Sequence, residues 1–141
     1  MRKLIAAAIA AATASTPALC AGAATRPFDA QFHDKPCGPT KLCGTGVLAG
    51  FGAVTTELVV TPVGPGPAPG CTLGKGTRTL TLAKDSASRL RLAVQGPLCG
   101  ARAFGTFSVV SGTGVFAHAR GGGVILGPPL ALRYYGVLAL G

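Results

Sequence analysis

The chain reads as an all-β domain of short antiparallel strands, and three observations carry that reading. Apolar and polar residues alternate in several segments, most clearly in Thr79-Leu80-Thr81-Leu82 and Arg89–Val94. A period of two gives a strand one buried face and one wet face. Gly (22) and Pro (11) are abundant, Trp is absent, and extended helical periodicity is missing, a composition that favours strands and turns. Finally, the cysteines fall into register across a hairpin.

Residues 1–23 are set apart as a signal peptide. Arg2 and Lys3 form a basic start, Leu4–Ala12 is an Ala-rich apolar run, and Ala21-Gly22-Ala23 fits a small-x-small cleavage site. The cut is placed after Ala23, with Ala18-Leu19-Cys20 as a second site. Pro17-Ala18-Leu19 makes a poor lipobox, so Cys20 is not read as a lipid anchor. No later segment supplies ~20 unbroken apolar residues, so no transmembrane segment is expected in the mature chain. The expected location is secreted, periplasmic or in the cell envelope. About 118 residues remain of the 141, which suits one domain with a modest core.

Residues 24–43, with Pro27, Pro36 and Pro39, read as an irregular lead-in to a domain spanning 44–141. Gly44–Val63 is the first extended run. Gly50 and Gly52 interrupt it where a strand bends or bulges, so it counts as one strand or two. Gly64–Gly70, alternating Gly and Pro, is a stiff connector. Strands two and three, Thr77–Ala83 and Arg89–Gln95, form a hairpin turning near Asp85-Ser86. Strand four covers Ala103–Ser111, strand five Gly122–Gly127 and strand six Leu130–Leu140. The last strand is largely apolar on both faces, so its outer face is expected to be covered by something.

With Cys20 removed, four cysteines remain, and in an exported chain they make two disulfides. If Leu80 faces Leu90, the same register carried outward sets Cys71 opposite Cys99. Cys37 then pairs with Cys43 around Gly38-Pro39. A zinc site is the rival, but the spacings are wrong for paired C-x-x-C knuckles and the histidines lie elsewhere, so no metal is expected.

The chain has 13 Lys and Arg against four acids, a formal charge of +9. The basic residues are scattered singly, which reads as a solvated surface and not as a nucleic-acid interface. The four acids are Asp29, Asp34, Glu57 and Asp85. Glu57 alone lies inside an expected strand. It either points into a lumen, paired with Arg102 or Arg120, or faces water. His118 has no Ser or Cys partner in a nucleophile motif. Nucleophile elbow, phosphate loop and dinucleotide fingerprint are missing, and no cofactor is expected.

The segment Phe104–Leu126, FGTFSVVSGTGVFAHARGGGVIL, joins two strands through a glycine loop that carries one aromatic plug, Phe116, between Gly112-Thr-Gly114 and Ala119-Arg120. It resembles the corresponding segment of the dirigent proteins and allene oxide cyclases. Leu132–Leu138 resembles the apolar final strand of dirigent proteins, and Gly-Thr-Gly occurs twice, at 44–46 and 112–114. The resemblance implies a small antiparallel β-barrel in which Gly112, Gly114 and Phe116 form a structural loop. It also implies an apolar lumen for a small hydrophobic ligand and trimers formed through outer faces. Arg120 matches the arginine of that family's A-R-G step, without an acid beside it in the loop. Two functions follow: a non-catalytic binding or structural module, or a cyclase-like protein that guides ring closure of a hydrophobic substrate. A third, from charge alone, is attachment to an anionic polymer.

Overall fold

A computed structural model describes residues 24–141. The segment read as a signal peptide, with Cys20 and the cleavage site, lies outside the described residues. Eight strands follow one another: β1 (Ala24–Gly38), β2 (Lys41–Leu48), β3 (Gly52–Pro65), β4 (Cys71–Leu82), β5 (Asp85–Cys99), β6 (Arg102–Gly112), β7 (Arg120–Gly127) and β8 (Arg133–Leu140). Each pairs antiparallel with the next, and β8 pairs back to β1. The result is a closed barrel, the fold class expected from the sequence, in which every strand has a neighbour on both sides.

Two of the eight strands correct the sequence reading. The run 44–63, read as one strand or two, is two: it falls in β2 and β3, joined by a turn at Ala49–Phe51. Gly50 holds φ at 83° in that turn, a left-handed value open to glycine and strained for other residues. The stretch read as an irregular lead-in is β1 and the start of β2. Its prolines are tolerated because β1 is flanked on only one side at each end. β2 pairs with it only from Ala30 onward, whereas the β8 ladder stops at Gln31. Pro27 and Pro36 therefore sit where a missing N–H costs no ladder bond on the open side. Between them Phe28, Ala30, Phe32 and Asp34 turn inward and are buried. The β4–β5 hairpin also turns slightly earlier than expected, at Ala83-Lys84, with Asp85 opening β5.

The expected hairpin register is observed: Leu80 faces Leu90 and Cys71 faces Cys99. The Cys71–Cys99 and Cys37–Cys43 disulfides are both formed. The first spans a sequence separation of 28, a cross-link worth about 3–4 kcal/mol on the loop-entropy account. Both lie at the end of the barrel that holds the β1–β2, β3–β4, β5–β6 and β7–β8 connections.

The lumen is filled by the protein's own side chains. Phe28, Phe32, Tyr134 and Phe107 form a chain of ring contacts through it, with centroids 4.8 Å apart for Phe28–Phe107, 5.3 Å for Phe107–Tyr134 and 5.1 Å for Phe32–Tyr134. Leu48, Val54, Leu80, Leu82, Leu90 and Leu92 pack around them, all essentially without exposure. Eight strands enclose just enough space for side chains to fill. The outer wall of β3–β5 carries Thr55, Glu57, Thr79, Thr81, Arg89 and Arg91. This sector of the wall is polar, whereas the lumen is mostly apolar. Among the described residues no helix is long and apolar enough to cross a membrane.

The end opposite the disulfides is closed by the Gly112–Arg120 connection. Gly114–Phe116 forms one turn of 3-10 helix, and Gly114 has φ of 59°. A Cβ there would run into Ser88. The loop is stitched to the start of β5: Thr113 Oγ1 donates to the Ala87 carbonyl at 2.7 Å, and the Val115 N–H donates to Ser88 Oγ at 3.0 Å. Phe116 is thereby held in the barrel end with no exposure, its ring 4.9 Å from Phe51. Phe116→Ala should lower unfolding free energy by about 3–5 kcal/mol, the range for emptying a buried phenylalanine site. Urea denaturation of the two proteins measures it. A difference under about 1 kcal/mol, typical of surface positions, would show that the ring does not plug the core.

Candidate ligand-binding site

The sequence-derived candidates for polar lumen residues, Glu57, Arg102 and Arg120, all lie on the outside. Glu57 stands between Thr56 and Leu58, both buried, so strand alternation turns it outward. There it pairs with Lys41 at 3.3 Å, with both side chains about half exposed. Arg102 and Arg120 open β6 and β7 and are exposed. The structure does not bring these three residues together. His118 is exposed at the plugged end.

The charged group in the lumen is Arg78, which has no exposure. It shares parity with Leu80 and Leu82 on β4, so the alternation that buries them buries it too. Each nitrogen of its guanidinium has a partner. Nη1 donates to Thr56 Oγ1 at 2.7 Å and to Asp34 Oδ1 at 3.3 Å. Nη2 donates to Asp34 Oδ2 at 2.9 Å, and Nε donates to the Tyr134 hydroxyl at 2.9 Å. The planar group also lies over two rings, 4.3 Å from the Phe32 centroid and 5.1 Å from Tyr134. Fork geometry for a carboxylate combined with a flat face for aromatics is something arginine offers and lysine does not.

Space for this cluster is made by the first Gly-Thr-Gly. Gly44 and Gly46 face inward on β2, opposite Asp34 and Phe32. A Cβ on Gly44 would lie 2.6 Å from Asp34 Oδ1, and one on Gly46 would lie 2.6 Å from Phe32 Cδ1. The two copies of the motif thus do different things: 44–46 vacates lumen volume, and 112–114 shapes the plug loop.

Burial works against the charged form of Arg78. The pull of Tyr134 and Asp34 outweighs it, and the net shift is upward. Burial drives the Tyr134 phenol upward from its ordinary 10.0, against the lowering effect of the neighbouring guanidinium. At neutral pH the guanidinium is therefore charged and the phenol capping it is neutral.

Tyr134 also belongs to the floor of a cavity of about 180 Å³ at the disulfide-bearing end. The cavity walls are Leu42, Leu58, Val60, Val94, Ala103 and Ile125, with Pro97, Leu98 and Phe104 around the opening. No charged side chain lines it. The contrast with the plugged end is direct: one end holds Phe116, and the other is an apolar recess. Among the described residues no group of three or more His, Cys, Asp or Glu is placed to hold a metal ion.

Sequence reasoning missed Asp34 and Arg78. Asp34 continues the Phe28, Ala30, Phe32 alternation, and Arg78 the Leu80, Leu82 alternation; parity alone marks both as inward. Comparison with known protein families and with curated proteins finds no match to this chain.

Removing one partner of a buried ion pair strands the other charge, a loss of about 3–5 kcal/mol. Asp34→Ala should cost that much in urea denaturation, whereas Asp34→Leu combined with Arg78→Met should recover most of it. A double variant no more stable than Asp34→Ala would show that the pair is not the unit that matters. The same network sets an alkaline limit. A raised folded-state pKa for Tyr134 favours the native state fully below the ordinary value of 10.0, and this contribution fades as pH climbs through the folded value. In Tyr134→Phe this part of the alkaline fall should disappear.

Proposed function

We propose that this is an exported, disulfide-stapled barrel that binds a small hydrophobic ligand in the apolar recess at its open end and performs no chemistry on it. The observation that carries this reading is the recess itself, about 180 Å³ with an uncharged lining. A dry cavity of ~150 Å³ accommodates a benzene ring. Enclosed sites for drug-sized ligands run to roughly 300–1,000 Å³. The recess thus suits one ring or a short branched tail. Its size and lining count against the cyclase-like alternative, which needs a lumen for a whole substrate and a carboxylate facing it. Here the lumen is filled, and both oxygens of Asp34 accept from Arg78.

Export to the periplasm, the envelope or the exterior is supported by the two disulfides, since such cross-links persist in oxidising compartments. Kinship with the allene oxide cyclase and dirigent barrels is supported by the closed antiparallel architecture and by Phe116 seated beneath its glycine loop. Strand-for-strand superposition of an experimental structure on those barrels tests it.

Titration with toluene, followed by the methyl signals of Leu58, Val60 and Ile125, tests the recess. Saturable shifts confined to those methyls are expected. Ala103→Phe, which fills the recess, should weaken binding on the order of ten-fold, about 1.4 kcal/mol. Shifts scattered over the surface, or an unchanged affinity in Ala103→Phe, would sink the reading.

A homo-oligomer, a trimer by the family likeness, is the further part of this proposal. Phe104 faces Leu126, and Val124 faces Tyr135, across the outer wall of β6–β8; Val137 continues the patch at 53% exposure. The N-terminal segment does not cover it, because that segment is β1, in the wall itself. Sedimentation equilibrium reads the state directly, and a monomer at micromolar concentration would rule the oligomer out.

A further inference from the structure

Along the sequence the basic residues stand singly, but the fold gathers four of them on one hairpin. Lys75, Lys84, Arg89 and Arg91 all lie exposed on β4, β5 and their turn. Two acids lie near this face, Asp85 and Glu57, the latter bordering Thr79, Thr81 and Arg89, so the four exposed cations remain in excess. Asp29 pairs with Arg133, Asp34 with Arg78 and Glu57 with Lys41. Asp85, the one acid on the hairpin, accepts from the Ala87 N–H and the Ser88 hydroxyl at its base. Hydroxyls flank the cations in register: Thr81 faces Arg89, and Arg91 lies between Thr79 and Ser111.

We propose that the outer face of the β4–β5 hairpin binds an anionic polysaccharide, a polyuronate in chemical class. The charges do not converge on a pocket. From Arg89 to the level of Lys75, which faces Gln95, the face runs about 20 Å at ~3.3 Å per residue. Exposed, separated cations hold a small anion weakly, since each contact is worth only ~0.2–1 kcal/mol. A repeating chain of carboxylates engages several at once and adds these small terms. The threonine and serine hydroxyls between the cations match the hydroxyls of a sugar. Neither β4 nor β5 carries an aromatic residue, so the face lacks the stacking platforms that hold the bases of single-stranded nucleic acid. The surface is separate from the recess at the barrel end, and the inference stands without the ligand proposed there.

Immobilised polygalacturonate is the probe. Binding should weaken steeply from ~10 mM to ~150 mM salt as the Debye length shortens from about 30 to about 8 Å. R89E/R91E should bind on the order of ten-fold more weakly. K35E/R120E, which changes net charge equally on other strands, should stay within about two-fold of wild type, as distant exposed charges do. Far-UV circular dichroism checks folding, and R89Q/R91Q repeats the comparison with a milder change. Equal losses in the two double variants, binding insensitive to salt, or no retention on polygalacturonate would each overturn the proposal. So would competition by a single-stranded oligonucleotide at lower charge concentration than by soluble polyuronate.

Discussion

Arg78 reaches from β4 across the lumen to Asp34 on β1, Thr56 on β3 and Tyr134 on β8, and the rest of the interior is arranged around that reach. A guanidinium without solvent exposure is tolerable only when its charge is paired and its nitrogens are hydrogen-bonded. Its demands explain features that look unrelated in the sequence. At Gly44 a Cβ would meet the His33 carbonyl and, next, Asp34 Oδ1 at 2.6 Å, so only glycine lets β1 and its carboxylate lie this close. Phe32 and Tyr134 present ring faces to the guanidinium plane. The fork also selects register. A one-residue slip of β1 would turn Asp34, Phe32 and Phe28 out of the barrel together and leave Arg78 buried without its anion.

The barrel is differentiated along its axis and around its girth. Along the axis, one end is shut by Phe116 on Phe51, and the other holds two disulfides and a recess lined by short apolar side chains. Disulfides suit the recess end, where there is less packed side-chain mass to hold the connections in place. Around the girth, Phe104, Val124, Leu126 and Val137 form an exposed apolar patch on β6–β8, while hydroxyls and cations gather on the β4–β5 hairpin. Strand order produces this division. Consecutive strands are neighbours in a meander, so a local bias in composition becomes a patch on the surface.

Alternation was legible wherever hydrophobic residues keep strict parity. Leu80, Leu82, Leu90 and Leu92 placed β4 and β5, and their register carried over to Cys71–Cys99. Phe116 stood out because a lone aromatic between glycines has few other roles. β1 was hidden by its two prolines, Pro27 and Pro36, which read as breakers when counted locally and become harmless once one side of each strand end is known to be open. The lumen cluster was hidden for a different reason. Charge marks a residue as exposed, so in the sequence Glu57 stands out by its place in a strand, whereas the inward parity of Arg78 and Asp34 runs against their charge. Parity was the stronger signal. It is set by backbone geometry, whereas the preference of charge for water yields when a partner is supplied.

The seam between β1 and β8 also shapes how the chain reaches this state. Its exposed ion pair, Asp29–Arg133, joins residues 104 apart in sequence, and the Asp34–Arg78 pair inside spans 44. Hairpins such as β4–β5 form by local zipping, but closure waits on the most distant contact in the molecule, and topologies dominated by such pairings fold slowly. Until the seam shuts, β1 and β8 present unpaired backbone edges, and β8 carries Tyr134 and Leu138 uncovered. An open seam is therefore where this chain is most exposed to wrong partners. Its best safeguard is Asp34, which has a charge waiting for it in the lumen and gives the last strand to dock one register to prefer.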